Sequence, residues 1–259
     1  RSNGISSETW CNFVRLLYNR FKCAQCDLVD EITACPTKDS QNQDKTTQSE
    51  PLTSINRTKR VVANMRTTGA PGPNGLPGSV FRFNSGAWSE PLTSLYNTCF
   101  QDLAVPHSWL GSLLCPIFKQ GARTDPQNYR LIAQRIVPSA KDYAQLLLKD
   151  LEAWVEANNI LQVYQTGFRP QASTTDNIVI LAYLTHKATS QKEIPLHCCF
   201  VDFSAAFDNV DRNKLWAKLR KWGIPHSLLA AIRSLYTNTW VRIKLADPCL
   251  TPEIRTSSG

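Results

Sequence analysis

A mixed α+β fold is expected from two periodicities that alternate along this chain. Tyr143, Leu146, Leu147, Leu151, Trp154 and Val155 recur at the three- and four-residue spacing of one helix face. By contrast, residues 194–203 (IPLHCCFVDF) form a short, largely apolar run of β type, and Trp240-Val241-Arg242-Ile243-Lys244-Leu245 alternates apolar with basic residues as a half-exposed strand does. The 259 residues are 42% hydrophobic and include 7 Trp, 7 Tyr and 10 Phe, enough apolar surface to offset chain entropy over most of the length.

Taken in order, Trp10, Phe13, Val14, Leu16, Leu17 and Tyr18 gather mainly on one face, predicting an amphipathic helix over 8–22 that packs on something beyond itself. Cys23-Ala24-Gln25-Cys26 follows, with Cys35 nearby. A zinc site needs four Cys or His ligands, and no second CxxC or HxxxH pair is present, so these cysteines read as free thiols. Residues 37–50 (TKDSQNQDKTTQSE) have no aromatic and no apolar residue larger than Thr, the composition of a solvated linker, and a boundary falls there. A helix is predicted over 54–65, then irregular backbone at Gly69-Ala70-Pro71-Gly72-Pro73-Asn74-Gly75.

Leu92, Leu95 and Phe100 predict a helix ending before Pro106, and Leu113-Leu114-Cys115-Pro116-Ile117-Phe118 a short buried strand closed by the turn Lys119-Gln120-Gly121. The helix carrying Tyr143 to Val155 faces the core and is closed by Asn158 and Asn159. Ser173, Thr174 or Thr175 caps a further helix bearing Ile178, Val179, Leu181 and Leu184, with Asp176 in its positive first turn. Beyond the β-type run, one helix passes through Leu215, Leu219 and Trp222 to Gly223 and another through Leu228, Leu229, Ile232 and Leu235. No internal repeat is present.

With 29 Lys and Arg against 21 Asp and Glu, the net charge is +8, which favours a polyanionic partner, nucleic acid first and a membrane surface second. No apolar run approaches the roughly 18 residues that span a bilayer, and the first residues lack a signal peptide's apolar stretch, so neither membrane nor secretion is supported. Nine irregularly spaced cysteines read as reduced thiols, which places the chain inside the cell.

Asp202 stands near the end of an apolar β-type run, and an ionised carboxylate is costly to bury unless it is paired, hydrogen-bonded or bound to a metal. Asp208 follows six positions later, with small Ser204, Ala205 and Ala206 between, which lets another backbone or a ligand approach closely. The order is strand, metal-binding turn, helix. Asp208 or Asp211 serves equally well as the cap of the next helix, and Phe207 as a core aromatic.

Four motifs in register within about residues 52–245, at Gly72–Pro77, Pro116–Ile132, Gln165–Asp176 and Phe200–Asp208, resemble those of reverse transcriptases of non-LTR retrotransposons of the LINE type. Gly72-Pro73-Asn74-Gly75-Leu76-Pro77 is similar to the family's Gly-Pro-Asp-Gly-Ile-Pro. Pro116-Ile117-Phe118-Lys119-Gln120-Gly121 and Asn128-Tyr129-Arg130-Leu131-Ile132 resemble its Pro-Ile-x-Lys-Lys-Gly and Asn-Tyr-Arg-Pro-Ile. Gln165-Thr166-Gly167-Phe168-Arg169-Pro170 with Ser173-Thr174-Thr175-Asp176 is similar to its Gln-x-Gly-Phe-Arg-x-Gly-x-Ser-Thr block, and Phe200 to Asp208 resembles the first palm motif.

The resemblance implies roles. Asp202 and the main-chain carbonyl of Phe203 would bind Mg²⁺, two ions holding the attacking 3′ hydroxyl and the nucleoside triphosphate in line. Phe207 would be the steric gate that selects deoxynucleotides, with Asp208 supporting. Lys119 and Arg130, each by itself a solvated charge, would reach the incoming triphosphate. Arg169 would contact the templating strand or the nucleotide, with Phe168 packed beneath. The basic excess over the last sixty positions suits a nucleic-acid backbone.

The implied architecture is a right-hand polymerase fragment, with a connector at 1–50, a mostly helical fingers region at 51–190 and a partial palm at 191–259. The C-terminal half of the palm and the thumb are expected to be missing, since nothing after Asp211 resembles the family's Tyr/Phe-x-Asp-Asp hairpin. Asn74 for Asp, Leu131 for Pro and Gln171-Ala172 for Gly-Arg depart from the pattern and weaken the fingers contacts. The implied activity is RNA-directed DNA polymerisation in target-primed insertion, on an RNA template with a DNA primer and deoxynucleoside triphosphates, in the nucleus and cytoplasm, with this chain inactive alone. Two rivals are a catalytically dead nucleic-acid-binding relic and an interaction protein docking through the helix at 8–22.

Overall fold

The computed structural model describes residues 5–18, 50–65, 77–169, 171–190, 195–245 and 250–256. The segment 19–49, with Cys23, Cys26, Cys35 and almost all of the expected linker, and the segment 66–76, with the whole of the Gly/Pro loop, lie outside the described residues. Two compact units divide the chain, 1–150 with 207–259 and 151–206. The described cysteines are free, and no described helix is long and apolar enough to cross a membrane.

In the first unit the helices are α1 (Ser7–Tyr18), α2 (Ile55–Ala63), α3 (Gly78–Phe83) and α4 (Ser85–Gln101). Strands β1 (Gly111–Phe118) and β2 (Tyr129–Arg135) precede α5 (Pro138–Ala157), which runs into the second unit. The second unit holds α6 (Thr174–Ser190), and the first resumes with α7 (Arg212–Lys221), α8 (His226–Ser234), β3 (Trp240–Ile243) and β4 (Ile254–Arg255). One sheet has the order β2-β1-β3-β4, antiparallel at its two outer pairs and parallel between β1 and β3.

Helix α1 is built into the sheet's core. Trp10, Cys11, Val14 and Tyr18, spaced i, i+1, i+4 and i+8, are buried against Leu114, Tyr129, Val241, Ile243 and Ile254. The Trp10 ring meets Tyr129 edge to face at 5.3 Å and Phe13 at 6.2 Å, a geometry that adds about 1 kcal/mol per pair beyond burial. The helix expected to pack beyond itself therefore closes the hydrophobic face of the sheet. Elsewhere in the unit, Tyr96, Trp109 and Tyr143 cluster with ring centroids 5.5–6.0 Å apart, and Arg57 of α2 bonds both oxygens of Asp150 and the carbonyls of Leu52 and Leu146.

The helix ends obey local chemistry. At α5, Asn159 takes φ 50°, its N–H reaches Glu156 O and that of Ile160 reaches Val155 O. Gly223 (φ 85°) closes α7 in the same way, with N–H groups of Gly223 and Ile224 on Arg220 O and Leu219 O. Both are Schellman closures, which need a residue tolerant of left-handed backbone.

Two expectations are corrected. The run 194–203 is not a strand: 195–203 has no regular structure, and Phe200, Val201 and Phe203 are 81%, 75% and 74% exposed. A strand needs a neighbour's N–H and C=O groups, and among the described residues the only ladders are those of β1 to β4 and one bridge between Lys244 and Leu250. Strand β1 forms as expected but is only half-buried, since one face packs on the core and Ile117 on the other is exposed.

Substituting Trp10→Ala removes the largest fully buried side chain of α1 and is expected to cost about 3–5 kcal/mol in urea unfolding, whereas exposed Leu16→Ala changes it by no more than about 0.5 kcal/mol. Asp142 of α5 is buried, and its burial pushes the carboxyl up to about 7. The folded state therefore keeps a proton that the unfolded chain releases, so stability falls as pH rises from about 4 to about 7, by up to about 4 kcal/mol, and then levels. Asp142→Asn should flatten that stretch of the stability profile, read by chemical denaturation at each pH.

Candidate active site

The β1–β2 hairpin holds the first two candidate residues. Its loop is tied by the Lys119 N–H donating to Asn128 O (2.8 Å), by Asn128 Nδ2 donating to Ala122 O (2.9 Å) and by Asp125 Oδ1 accepting from Gln127 N (2.9 Å). Gly121 has φ 91°, and a Cβ there would lie 2.7 Å from the Asn128 amide, so only glycine fits. Arg130 stands opposite Ile117, two residues before Lys119, which brings both cations to the loop end of one hairpin. Both are exposed and, among the described residues, neither has an ion-pair partner.

Asp208 is held from a distant part of the chain. The Tyr18 hydroxyl of α1 donates to Asp208 Oδ1 at 3.0 Å. Burial, and after it the Asp208 carboxylate, pushes the Tyr18 hydroxyl far above its ordinary range, so it stays a proton donor at all working pH values. Arg212 adds a partly buried cation nearby, its Nη1 donating to Tyr236 O (3.0 Å) and Thr239 Oγ1 (2.9 Å) and its guanidinium lying 5.3 Å from the Tyr236 ring centroid. Asp211 takes the capping role, its carboxylate accepting from the N–H groups of Asn213 (2.9 Å) and Lys214 (3.2 Å).

Between Asp202 and Asp208 the chain turns through 204–209, with Ala205 at φ 48°. Left-handed backbone at a residue with a Cβ costs about 1–2 kcal/mol, and such strain concentrates at functional turns. Phe203 and Phe207 are exposed, as is Asp202. Asp202 and Phe203 belong to the second unit, Phe207 and Asp208 to the first.

In the second unit Arg169 makes a two-pronged ion pair, Nε to Glu156 Oε1 and Nη2 to Oε2, both 2.9 Å, while Nη1 donates to Gln162 O at 3.2 Å. The hydrogen bonds from Arg169 pull the Glu156 carboxyl below its usual range, and Glu156 raises Arg169 in return. Phe168, expected to pack beneath Arg169, is 95% exposed and has a left-handed backbone (φ 59°). Ser173 is the cap of α6, accepting from Thr175 N (3.1 Å) while Asp176 Oδ2 accepts from Ser173 N (2.9 Å), a reciprocal capping box. Thr166 is held by Asn177 Nδ2 at 2.9 Å, which ties the Gln-Thr-Gly segment to that helix.

Among the described residues no three His, Cys, Asp or Glu side chains come together as a metal centre. Asp202 with the Phe203 carbonyl supplies two oxygen donors, fewer than a two-ion centre needs, so these residues do not by themselves fit the metal pair. Tyr18, Glu156 and Arg212 are the residues that sequence reading missed. Tyr18 did carry a signal, since a tyrosine closing an apolar stripe must find a partner for its hydroxyl. Replacing Tyr18 by Phe should lower stability by about 1–3 kcal/mol in urea unfolding, because it leaves a part-buried carboxylate short of one donor. An unchanged midpoint would show the hydrogen bond to be idle.

Residues 117–253 match the family described as reverse transcriptase (RNA-dependent DNA polymerase). A curated relative is the retrovirus-related Pol polyprotein from type-1 retrotransposable element R1 of Bradysia coprophila, 25% identical over 224 residues. The alignment covers 84% of this chain and 21% of that polyprotein, so the chain spans about a fifth of the relative's length. The matched span holds Lys119, Arg130, Arg169, Asp202, Phe203, Phe207 and Asp208, the residues to which the motif resemblance assigns roles, and leaves Gly72 to Pro77 outside it. The chain belongs to the reverse transcriptase family.

Proposed function

We propose that this chain is the fingers and the first part of the palm of an RNA-directed DNA polymerase of a non-LTR retrotransposon, acting in target-primed reverse transcription. The observation that carries the reading is the family match over 117–253, which takes in every candidate catalytic and nucleotide-binding residue. The domain division of the proposal is a connector at 1–50, fingers at 51–190 and palm from 191.

In this reading Asp202 and the Phe203 carbonyl would be two of the ligands of Mg²⁺, which would supply charge neutralisation at the transferring phosphoryl group. The family's adjacent pair of aspartates is not among these 259 residues. Lys119 and Arg130 at the hairpin end attract the triphosphate of an incoming deoxynucleotide, one as a point charge and the other as a forked donor. Phe207 excludes the ribose 2′ hydroxyl, and the Tyr18 to Asp208 bond supports the turn that carries it. Arg169 serves the template side, with Glu156 fixing its guanidinium plane.

A second reading, a nucleic-acid-binding relic, is favoured by one observation, the stretch 212–246 with its 8 Lys and Arg and no Asp or Glu. Primer extension separates the two. On a primed RNA template with deoxynucleoside triphosphates and Mg²⁺, this chain alone is expected to extend nothing. A polypeptide that continues this chain through the family's Tyr/Phe-x-Asp-Asp hairpin is expected to extend the primer, and Asp202→Asn within it to lower the rate by roughly 10³-fold or more while RNA affinity is kept. Extension unaffected by Asp202→Asn would defeat the polymerase reading.

A further inference from the structure

The net charge of the chain is confined to one stretch. Residues 212–246 hold 8 of the 29 Lys and Arg and no Asp or Glu, and the remainder of the chain is balanced at 21 of each. Much of that charge lies on α7, where Lys214, Lys218 and Lys221 are all exposed at spacing i, i+4, i+7. At 100° per residue they fall within an arc of about 60° facing away from buried Trp216, and they span about 10.5 Å along the axis. Among the described residues none of the three has an ion-pair partner.

Helix stability does not account for this face. Cations in the last turn complement the helix dipole, which covers Lys218 and Lys221, but Lys214 sits in the first turn, where the dipole opposes it. Like charges at i, i+4 repel, and α7 itself contains no acid, the carboxylate of its cap Asp211 being engaged by the backbone N–H groups of Asn213 and Lys214. A lipid surface is a poorer fit, because a membrane-lying helix presents its apolar face to the bilayer, and here Trp216 is turned into the protein. Beside the lysines Trp222 is 39% exposed with Lys218 Nζ 5.0 Å from its ring centroid, an aromatic surface of the kind on which unpaired bases stack.

We propose that the outer face of α7, through Lys214, Lys218 and Lys221, is a docking surface for the phosphate backbone of single-stranded RNA, separate from the residues assigned to nucleotide chemistry. The choice of RNA rests on the reverse transcriptase reading, and the surface rests on charge and geometry. It contacts phosphates and carries no sequence preference.

The test is fluorescence anisotropy of a labelled mixed-sequence 20-nucleotide RNA with the whole chain between about 50 and 200 mM salt. The triple variant K214A/K218A/K221A is expected to reduce the slope of log affinity against log salt by about 2, and affinity at 100 mM by roughly 10²-fold. K214R/K218R/K221R should keep both. The charge-matched triple K59A/K141A/K149A, on exposed sites of α2 and α5, should leave the slope as it was. Should the alanine variant fail to fold by circular dichroism, glutamine at the same positions gives the same reading. An unchanged slope, an equal loss in the control triple, or lysine-dependent capture by phosphatidylserine vesicles without RNA binding would each overturn the proposal. Because binding is read without synthesis, the slope change in this chain beside a longer polypeptide whose extension ignores Asp202→Asn would defeat only the polymerase reading.

Discussion

The burial of one face of α1 against the sheet is the contact on which the first unit depends. Trp10, Val14 and Tyr18 fill the space above β1 and β3, and without them Leu114, Tyr129, Val241 and Ile243 would face water. The same helix supplies the hydroxyl that holds Asp208, so hydrophobic seating and the placement of a site carboxylate are one event. The hydrogen bond works only because the ring beneath it is packed: a tyrosine fixed along its apolar body presents its polar tip at a defined point.

The site residues fall into two kinds. Lys119, Arg130 and Asp202 are exposed cations and a carboxylate left facing solvent. Asp208, Asp211, Arg212 and Arg169 are engaged by Tyr18, by two backbone N–H groups, by Tyr236 and Thr239, and by Glu156. The first kind is left open to ligands of opposite charge, and the second kind is fixed by its own hydrogen bonds. The turn between Asp202 and Asp208 is anchored firmly at the Asp208 end, and its strain is localised at Ala205.

Local signals in the sequence were read well. The helix from Pro138 to Ala157 declared itself by periodicity and its Asn158-Asn159 end, the cap of α6 by Ser173 with Asp176, and β3 by alternation. What failed was whatever depends on a remote partner. The apolar run ending near Asp202 had strand composition, yet composition carries no ladder, and its backbone pairs with no other among the described strands. The Tyr18 to Asp208 bond joins residues 190 apart, and no spacing rule reaches that far. Arg169 was placed by its motif, but its pairing with Glu156, 13 residues before it, depends on a bend whose geometry only the folded chain sets.

The parallel pairing of β1 with β3 has a consequence for how the molecule comes into being. Gly111 must find Trp240, and the fourth strand ends at Arg255, so the sheet cannot close until residue 255 has left the ribosome. At roughly 5–20 residues per second, translation separates the β1–β2 hairpin from its central neighbour by on the order of ten seconds. Throughout that interval the greasy side of α1 and the bare edge of β1 wait uncovered, which marks the nascent chain as a client for holding chaperones and makes its yield sensitive to the pace of synthesis.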